Sequence, residues 1–142
     1  MVLASMTQYS DRLAGAIDEF GPSNLVSFLE HTEACRRDLR RAEYGDEGDP
    51  NIRAVFEAFA PVNNIARITR PMLVMQGVED PRVPKSESDK MAAKLRAPGL
   101  DVWYVVFKDE GHGFRKKVNT DREREAATLF FVKIFGLAAP GA

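Results

Sequence analysis

Two loops of the sequence carry the residue types that proton-transfer chemistry requires. The first loop, residues 77–84, follows an apolar run and contains two adjacent carboxylates, Glu79 and Asp80. The second loop, residues 109–114, follows another apolar run and presents His112 between two glycines. A carboxylate beside an imidazole fixes the tautomer of the ring and stabilises the imidazolium that forms when the ring removes a proton. The loops therefore predict an acid–base pair, provided that the fold brings them together.

The spacing of the two loops is compatible with such an encounter. Asp80 and His112 are 32 residues apart, and one strand–helix–strand unit takes roughly 30 residues or more. Active groups of α/β proteins lie in loops beyond the carboxyl ends of the strands. If the two strands are neighbours, both loops leave the same edge of the sheet. On spacing alone, Glu79 and Asp80 are equally good candidates for the carboxylate.

Each of these residues also has a purely structural interpretation. An aspartate in a loop rich in glycine and proline is commonly a turn residue, and an exposed histidine often has no chemical role. Their joint placement after successive strands is what favours a site. A metal site at Asp80 and His112 is disfavoured because two ligands rarely hold a metal and no third is evident. We therefore expect neither a metal nor a cofactor.

The other imidazole and the single thiol lie in a polar, helix-forming region. His31 is flanked by charged residues, which favours a solvated or structural histidine. Cys35 has no partner for an intrachain disulfide, and only His31 lies near it in sequence. A cysteine nucleophile is accordingly disfavoured.

The order of predicted elements indicates an α/β fold with a parallel sheet. Strands are predicted from apolar runs at residues 13–20, 71–77 and 102–107. Helices are predicted at residues 1–9, 23–30, 33–44, 51–60, 86–97 and 120–135, with one short turn at 62–68. Expected helix boundaries are an N-cap at Ser23, capping boxes beginning at Ser86 and Thr120, and Gly136 after the last helix. Strands that alternate with helices imply right-handed crossovers.

Composition excludes several classes of protein. The chain has 142 residues, 20 of them basic and 21 acidic, with no basic stripe, which argues against nucleic-acid binding. No apolar run approaches the roughly 20 residues of a membrane helix. The amino terminus lacks the basic stretch of a secretory signal. With one cysteine, a reducing, cytoplasmic setting fits best.

The two loops together resemble those of a known family. The pattern Gly-x-x-Asp-x-Arg-Val-Pro at residues 77–84, joined to Glu-Gly-His-Gly at 110–113, is similar to the C-terminal part of prolyl oligopeptidases, which are α/β-hydrolase serine peptidases. The resemblance implies Asp80, rather than Glu79, as the acid of a catalytic triad and His112 as its base. It also implies that Arg82 meets a peptide carbonyl in the substrate cleft. Val83 would lie near the pocket for the residue preceding the scissile bond.

The nucleophile of that family has no counterpart in the sequence. Its serine occupies a Gly-x-Ser-x-Gly motif at a strand-to-helix turn, and this motif does not occur here; Ser23 comes nearest but lacks the second glycine. Because residues 1–9 resemble the helix after the nucleophile, the glycine-rich turn is expected immediately before Met1. We therefore expect residues 1–142 to be the C-terminal portion of an α/β-hydrolase peptidase domain, truncated just after that turn and inactive alone.

The resemblance also implies partners. We expect a peptide substrate and an N-terminal half of the hydrolase domain, which supplies the serine. Without that half, the strand at residues 13–20 is an exposed edge, and exposed edges invite pairing, so a homo-oligomer through this edge is a further expectation. Two alternatives stay open, namely a fragment of an esterase-type α/β hydrolase and a non-catalytic interaction module that retains the fold.

Overall fold

Three parallel strands carry the two loops at one edge of a sheet. In the computed structural model, which describes residues 1–138, the strand order is β1 (Ala16–Glu19), β2 (Met72–Gly77) and β3 (Val102–Phe107). Met72 of β2 lies opposite Ala16 on one side and Val102 on the other. The parallel sheet confirms the predicted fold class.

The central strand is buried along its whole length because helices cover both of its faces. All six residues of β2 are buried. Met72 packs with Met6 and Leu95 on one face, whereas Leu73 packs with Phe130 on the other. Alternation of the side chains across the strand explains why β2 has no polar face and appears in the sequence as one continuous apolar run.

Residues 1–138 form six α-helices, and most lie where the sequence predicts them. They are α1 (Val2–Tyr9), α2 (Leu25–His31), α3 (Ala34–Tyr44), α4 (Pro50–Phe59), α5 (Lys85–Arg96) and α6 (Lys117–Phe135). Two short 3-10 turns, Pro61–Asn63 and Ile65–Arg67, replace the single turn predicted at 62–68. Gly136 ends α6 in the left-handed conformation, as predicted. Across residues 1–138, no helix is both long and apolar enough to cross a membrane.

The first strand is shorter than predicted. Its pairing begins where Ala16 donates to the carbonyl of Pro71, so residues 13–15 stay outside the ladder. After Glu19 the chain leaves the sheet through Phe20, which has a φ of +58°. A left-handed conformation is unusual for a phenylalanine and marks a position that the surrounding structure imposes.

Three predicted helix starts are wrong, and at two of them the predicted capping side chain binds elsewhere: Ser23 donates to Glu87 and Thr120 to the carbonyl of Phe114. Asn24, not Ser23, caps α2, and its side chain accepts from the N–H of Val26 at 2.8 Å. Helix α5 begins one residue before Ser86, and α6 begins three residues before Thr120. Neither helix has a side-chain cap.

The acidic residue beside Ser86 instead joins α5 to the start of α2. Glu87 is completely buried. Its carboxylate accepts from the backbone N–H groups of Ser23 and Asn24, both at 3.0 Å, and from the hydroxyls of Ser23 and Ser27 at 2.8 and 2.6 Å. Lys90 also donates to it at 3.3 Å. One buried carboxylate thus holds the amino-terminal end of α2.

Replacing Glu87 by glutamine should lower the free energy of unfolding by about 2 kcal/mol. The amide nitrogen would turn a hydrogen-bond donor toward donors that now share a carboxylate, and bonds to a charged group contribute roughly 1.5–3 kcal/mol each. Urea unfolding of the variant measures the loss. Ser86→Ala, at an exposed position of the same turn, should change it by less than about 0.5 kcal/mol; equal effects of the two substitutions would contradict the assignment.

Candidate active site

The structure brings Asp80 and His112 into direct contact. Oδ2 of Asp80 lies 2.8 Å from Nδ1 of His112. The aspartate side chain is completely buried, whereas 31% of the histidine side chain is exposed. With Nδ1 bonded to a carboxylate, Nε2 is the ring nitrogen left available to a reacting group. The exposed Glu79 makes no such contact.

The loop after β2 and a neighbouring glutamine hold the Asp80 carboxylate in place. Its Oδ1 accepts from the backbone N–H groups of Arg82 and Val83 at 2.8 and 3.0 Å. Its Oδ2 also receives a hydrogen bond from Nε2 of Gln76 at 3.2 Å, and Ser88 in turn donates to Oε1 of Gln76 at 2.8 Å. Each carboxylate oxygen is therefore assigned to a partner before any substrate arrives.

Gln76 is a site residue that the sequence interpretation missed. It lies in β2 and is completely buried. Its amide also donates to the carbonyls of Gly77 and Val83, at 3.1 and 3.3 Å. The available signal is the amide itself, because a polar side chain inside an otherwise apolar buried strand needs partners.

The histidine loop packs directly on the end of β2. Val78 donates to the carbonyl of Phe107, and Glu79 to that of Glu110, each at 2.9 Å. A Cβ atom on Gly77 would lie 2.3 Å from the carbonyl oxygen of Gly111 and 2.4 Å from that of Glu110. Position 77 therefore requires glycine because another backbone occupies the space of a side chain.

Substituting Gly77 by alanine should lower the free energy of unfolding by about 3 kcal/mol, since the obstructing atoms belong to the backbone and overpacking costs typically 1–3 kcal/mol. It should also displace the histidine loop from Asp80. Gly111→Ala is the matched control, because its Cβ would approach nothing closer than 3.3 Å. Urea unfolding of the two variants tests this difference, and equal losses would refute it.

A second carboxylate shapes the loop that carries the histidine. Glu110 is buried and accepts from the backbone N–H groups of Arg115 and Lys116 at 3.1 and 2.9 Å, and from Nδ2 of Asn119 at 2.8 Å. The hydrogen bond from Asn119, followed by that from Arg115, holds the pKa of Glu110 below its usual value. Glu110 therefore acts as a charged acceptor around which the chain turns into α6.

The end of β1 also reaches the site. The ring of Phe20 packs against His112, with centroids 4.8 Å apart, and against Phe114 at 5.0 Å. Sequence reasoning missed this contact, because nothing in the pattern indicates that residue 20 leaves the sheet in a left-handed conformation. All three strands thus contribute to the site at their carboxyl ends, and Phe20 packs against one side of the imidazole.

The two predicted substrate residues occupy different environments. Arg82 is exposed and lines a cleft of about 290 Å³ together with Arg36, Arg115 and His112. Val83 is buried and belongs to the core cluster of Phe28 and Phe56 on the α2–α4 side of the fold. Neither placement tests a role in substrate binding, so both roles stay predictions.

The other reactive side chains considered in the sequence lie elsewhere. His31 is exposed, with Nδ1 2.7 Å from the carbonyl oxygen of Ser27, and Cys35 is exposed on α3. Ser23 is buried and donates to Glu87. Within residues 1–138, no group of three or more histidine, cysteine, aspartate or glutamate side chains is arranged to hold a metal ion.

Comparison with known proteins identifies the family of the chain. A family model described as "Prolyl oligopeptidase family" matches residues 1–138. The chain belongs to this family. The resemblance seen in the two loops is thereby confirmed, and the matched region belongs to the C-terminal catalytic domain of these peptidases.

Similar prolyl oligopeptidase-family proteins come from distant organisms. The chain is 31% identical to dipeptidyl peptidase family member 6 of Caenorhabditis elegans over 138 residues, and 31% identical to dipeptidyl aminopeptidase BIII of Pseudoxanthomonas mexicana over 137 residues. Each alignment covers 94% of this chain but only 19% and 20% of the respective relative. The chain thus spans about a fifth of the length of the curated relatives it matches.

Solved structures of the family share the fold. A puromycin-hydrolysing peptidase of Mycobacterium tuberculosis superimposes with a TM-score of 0.90 at 31% identity, covering 99% of this chain and 21% of that one. The three parallel strands and their helices therefore form part of an α/β-hydrolase domain, as predicted.

Proposed function

We propose that this chain supplies the aspartate and the histidine of a Ser-Asp-His triad that hydrolyses peptide bonds. The observation that carries the proposal is the 2.8 Å contact between Oδ2 of Asp80 and Nδ1 of His112, which leaves Nε2 as the reactive nitrogen. Residues 1–142 are then the C-terminal portion of a peptidase domain, and the nucleophilic serine belongs to a segment outside them.

Each side chain has a defined task in the proposed reaction. Nε2 of His112 takes the proton from the serine hydroxyl as its oxygen attacks the peptide carbonyl, and returns that proton to the leaving amine. Water then attacks the acyl-enzyme by the same proton transfers, releasing the acid and restoring the serine. Asp80 stays ionised throughout, holds the Nδ1–H tautomer and stabilises the imidazolium. Its bonds to the backbone and to Gln76 keep its orientation fixed.

The substrate assignments rest on position and on family resemblance. Arg82 lines the cleft beside His112, where its guanidinium can donate to a peptide carbonyl. The backbone N–H of Val83 donates to Asp80, so Val83 lies next to the proposed acid, and its role near the pocket for the residue preceding the scissile bond rests on the family resemblance.

Peptide hydrolysis is favoured over ester hydrolysis by the relatives. Two are dipeptidyl peptidases by name, and the solved structure is a puromycin-hydrolysing peptidase. An esterase-type hydrolase would share the acid–base pair, whereas a non-catalytic module would not need a buried aspartate bonded to a partly exposed imidazole. Assays on matched dipeptidyl p-nitroanilide and acyl p-nitrophenyl ester substrates separate the two enzyme classes.

A chimaeric enzyme tests the proposal. In it, this chain replaces the matching 137 residues of the Pseudoxanthomonas dipeptidyl aminopeptidase. We expect the chimaera to hydrolyse a dipeptidyl p-nitroanilide and its serine to react with a fluorophosphonate, whereas the isolated chain should do neither. His112→Ala in the chimaera should abolish hydrolysis. A folded chimaera without activity, or a labelled serine in the isolated chain, would contradict the proposal.

The free side of β1 suggests how the chain assembles. Within residues 1–138, β1 pairs only with β2, so its other edge can accept a strand from the remainder of the hydrolase domain. A second copy of the chain can pair there when that remainder is absent. Light scattering on the isolated chain should therefore show a dimer or larger assembly; a folded monomer at high concentration would exclude self-pairing.

A further inference from the structure

One buried carboxylate outside the Asp80–His112 pair has an unfilled hydrogen-bonding position. Asp18 lies on β1 and is only 4% exposed. Its Oδ2 is buried without a hydrogen-bond partner among residues 1–138. Buried carboxylate oxygens in folded proteins normally accept hydrogen bonds. Leaving a buried acceptor unsatisfied costs roughly 1–3 kcal/mol, and the cost is higher when the group is charged. This oxygen therefore indicates a missing donor.

The space beside Asp18 is an apolar cavity of about 470 Å³. Its walls are mostly apolar, as at Leu3, Phe56 and Phe59. Among the lining side chains only Asp18 and Tyr44 carry an oxygen, which are too few ligands for a cation. The positive charge of the Met1 α-amino group acts on Asp18, although burial dominates and raises the pKa of this carboxyl to about 6. The carboxylate thus lies near the point at which the chain enters α1.

The topology indicates what would fill this space. Helix α1 packs against β1 and precedes it in the sequence. In a right-handed strand–helix–strand unit, a parallel strand before α1 would lie beside the free edge of β1 and turn into α1 at the carboxyl edge of the sheet. A second cavity, of about 320 Å³, is lined by Met1 and residues such as Ala16 and Ile17 of β1, with none from β2. There is room for such a strand.

We propose that the turn entering α1 from the preceding part of the peptidase domain donates a backbone N–H to Oδ2 of Asp18. Given the proposed function, on which this inference rests, that turn reaches the edge shared by Asp80 and His112 and carries the serine. Asp18 is then a positioning residue that holds the nucleophile turn through its backbone. The donor must lie within the first few residues before Met1, because an extended chain advances at most about 3.6 Å per residue.

Hydrogen exchange in the chimaera tests this inference without depending on activity. Asp18→Asn keeps the size of the side chain but offers one acceptor oxygen in place of two. We expect the backbone amides of the turn before Met1 to exchange about tenfold faster in this variant, the effect of losing one hydrogen bond of ordinary strength. Glu19→Gln, an exposed neighbour on the same strand, should leave exchange unchanged.

Steady-state kinetics provide a second measurement, which would stay unchanged if Asp18 had only a structural role. A displaced nucleophile should lower kcat by about tenfold in Asp18→Asn and leave KM within about twofold, with the same loss in the rate of fluorophosphonate labelling. Equal exchange in the Asp18→Asn and unsubstituted chimaeras would overturn the inference. An active chimaera with unaltered exchange would do so while leaving the proposed function intact.

A crystal structure of the unsubstituted chimaera decides the case even if the Asp18→Asn variant does not fold. A backbone nitrogen of the turn within about 3.2 Å of Oδ2 is the expected result. A lysine or arginine side chain, a water or a cation in that position would overturn the inference, because each supplies the missing donor or charge without holding the turn.

Discussion

Replacing Asp80 by asparagine in the chimaera should lower kcat by about 10⁴-fold, the effect that the same change has in other serine peptidases. The side-chain oxygen of the asparagine would accept the two hydrogen bonds that the backbone N–H groups of Arg82 and Val83 now donate to Oδ1. Its amide group would then point at Nδ1 of His112. The imidazole would have to carry its proton on Nε2 and could no longer accept one from serine.

The size of this effect separates tautomer control from loss of folding. Glu79→Gln is the matched control, because it removes an adjacent but exposed carboxylate and should leave kcat within about twofold. Circular dichroism and the thermal unfolding midpoint of the Asp80→Asn chimaera should stay near those of the unsubstituted one. A loss of less than about tenfold would mean that Asp80 does not set the state of the histidine.

The part of the fold that the sequence predicts is the part set by local pattern. The run ending at Gly77 and the β-branched and aromatic run at residues 102–107 each predict a strand, and the structure confirms both. Their loops follow directly, so a contact between His112 and either Glu79 or Asp80 could be predicted from spacing and strand order, and the family resemblance selects Asp80. The expected contact needed only neighbouring parallel strands, which is the commonest outcome of a single crossover.

The residues that sequence reasoning missed depend on contacts between distant segments. Gln76 matters because Ser88 and Asp80 meet it in the core. Phe20 matters because a left-handed backbone turns its ring toward His112. The amide of Gln76 in an apolar run signals only that it needs partners and not which ones, and a phenylalanine at the end of a strand has no local signature.

The failed capping predictions have a related cause. A capping box is a local pattern, and it competes with any tertiary partner that its side chains can reach. Ser23, the predicted cap of α2, donates to the buried carboxylate of Glu87 at 2.8 Å, and Thr120 donates to the carbonyl of Phe114 at 3.1 Å. The contact between Ser23 and Glu87 takes precedence over a cap because both residues are buried, and a buried polar group left unsatisfied costs more than an exposed N–H that water can reach.

In the isolated chain, Asp18→Asn should increase the free energy of unfolding at pH 7 by up to about 3 kcal/mol. Burial raises the pKa of Asp18 from 3.8 to about 6 in the folded chain, so the folded state binds more protons than the unfolded state between these values. The stabilisation of the fold by protonated Asp18 is therefore fully present below about pH 4, and it is lost as the pH rises through 6. A shift of about two pKa units at 1.36 kcal/mol each gives the magnitude.

Urea unfolding at pH 4 and pH 7 measures the effect as a difference between variant and parent chain. The two proteins should have similar stability at pH 4, where Asp18 is protonated, and diverge at pH 7. Asp109→Asn gives a control of opposite sign, because hydrogen bonds from Lys116 and then Asn119 hold the pKa of Asp109 below its usual value. That variant should lose stability at pH 7 relative to pH 4. A constant difference between Asp18→Asn and the parent would contradict the prediction.

The same substitution should behave differently once the turn before Met1 is present. A backbone N–H donated to Oδ2 stabilises the charged carboxylate and lowers its pKa, so the penalty that asparagine relieves in the isolated chain shrinks. At pH 7 Asp18→Asn should therefore raise the unfolding free energy of the isolated chain but leave the thermal midpoint of the chimaera unchanged or lower it. A stabilising effect of equal size in both proteins would show that Asp18 stays unpartnered, and that its burial has no connection with the nucleophile turn.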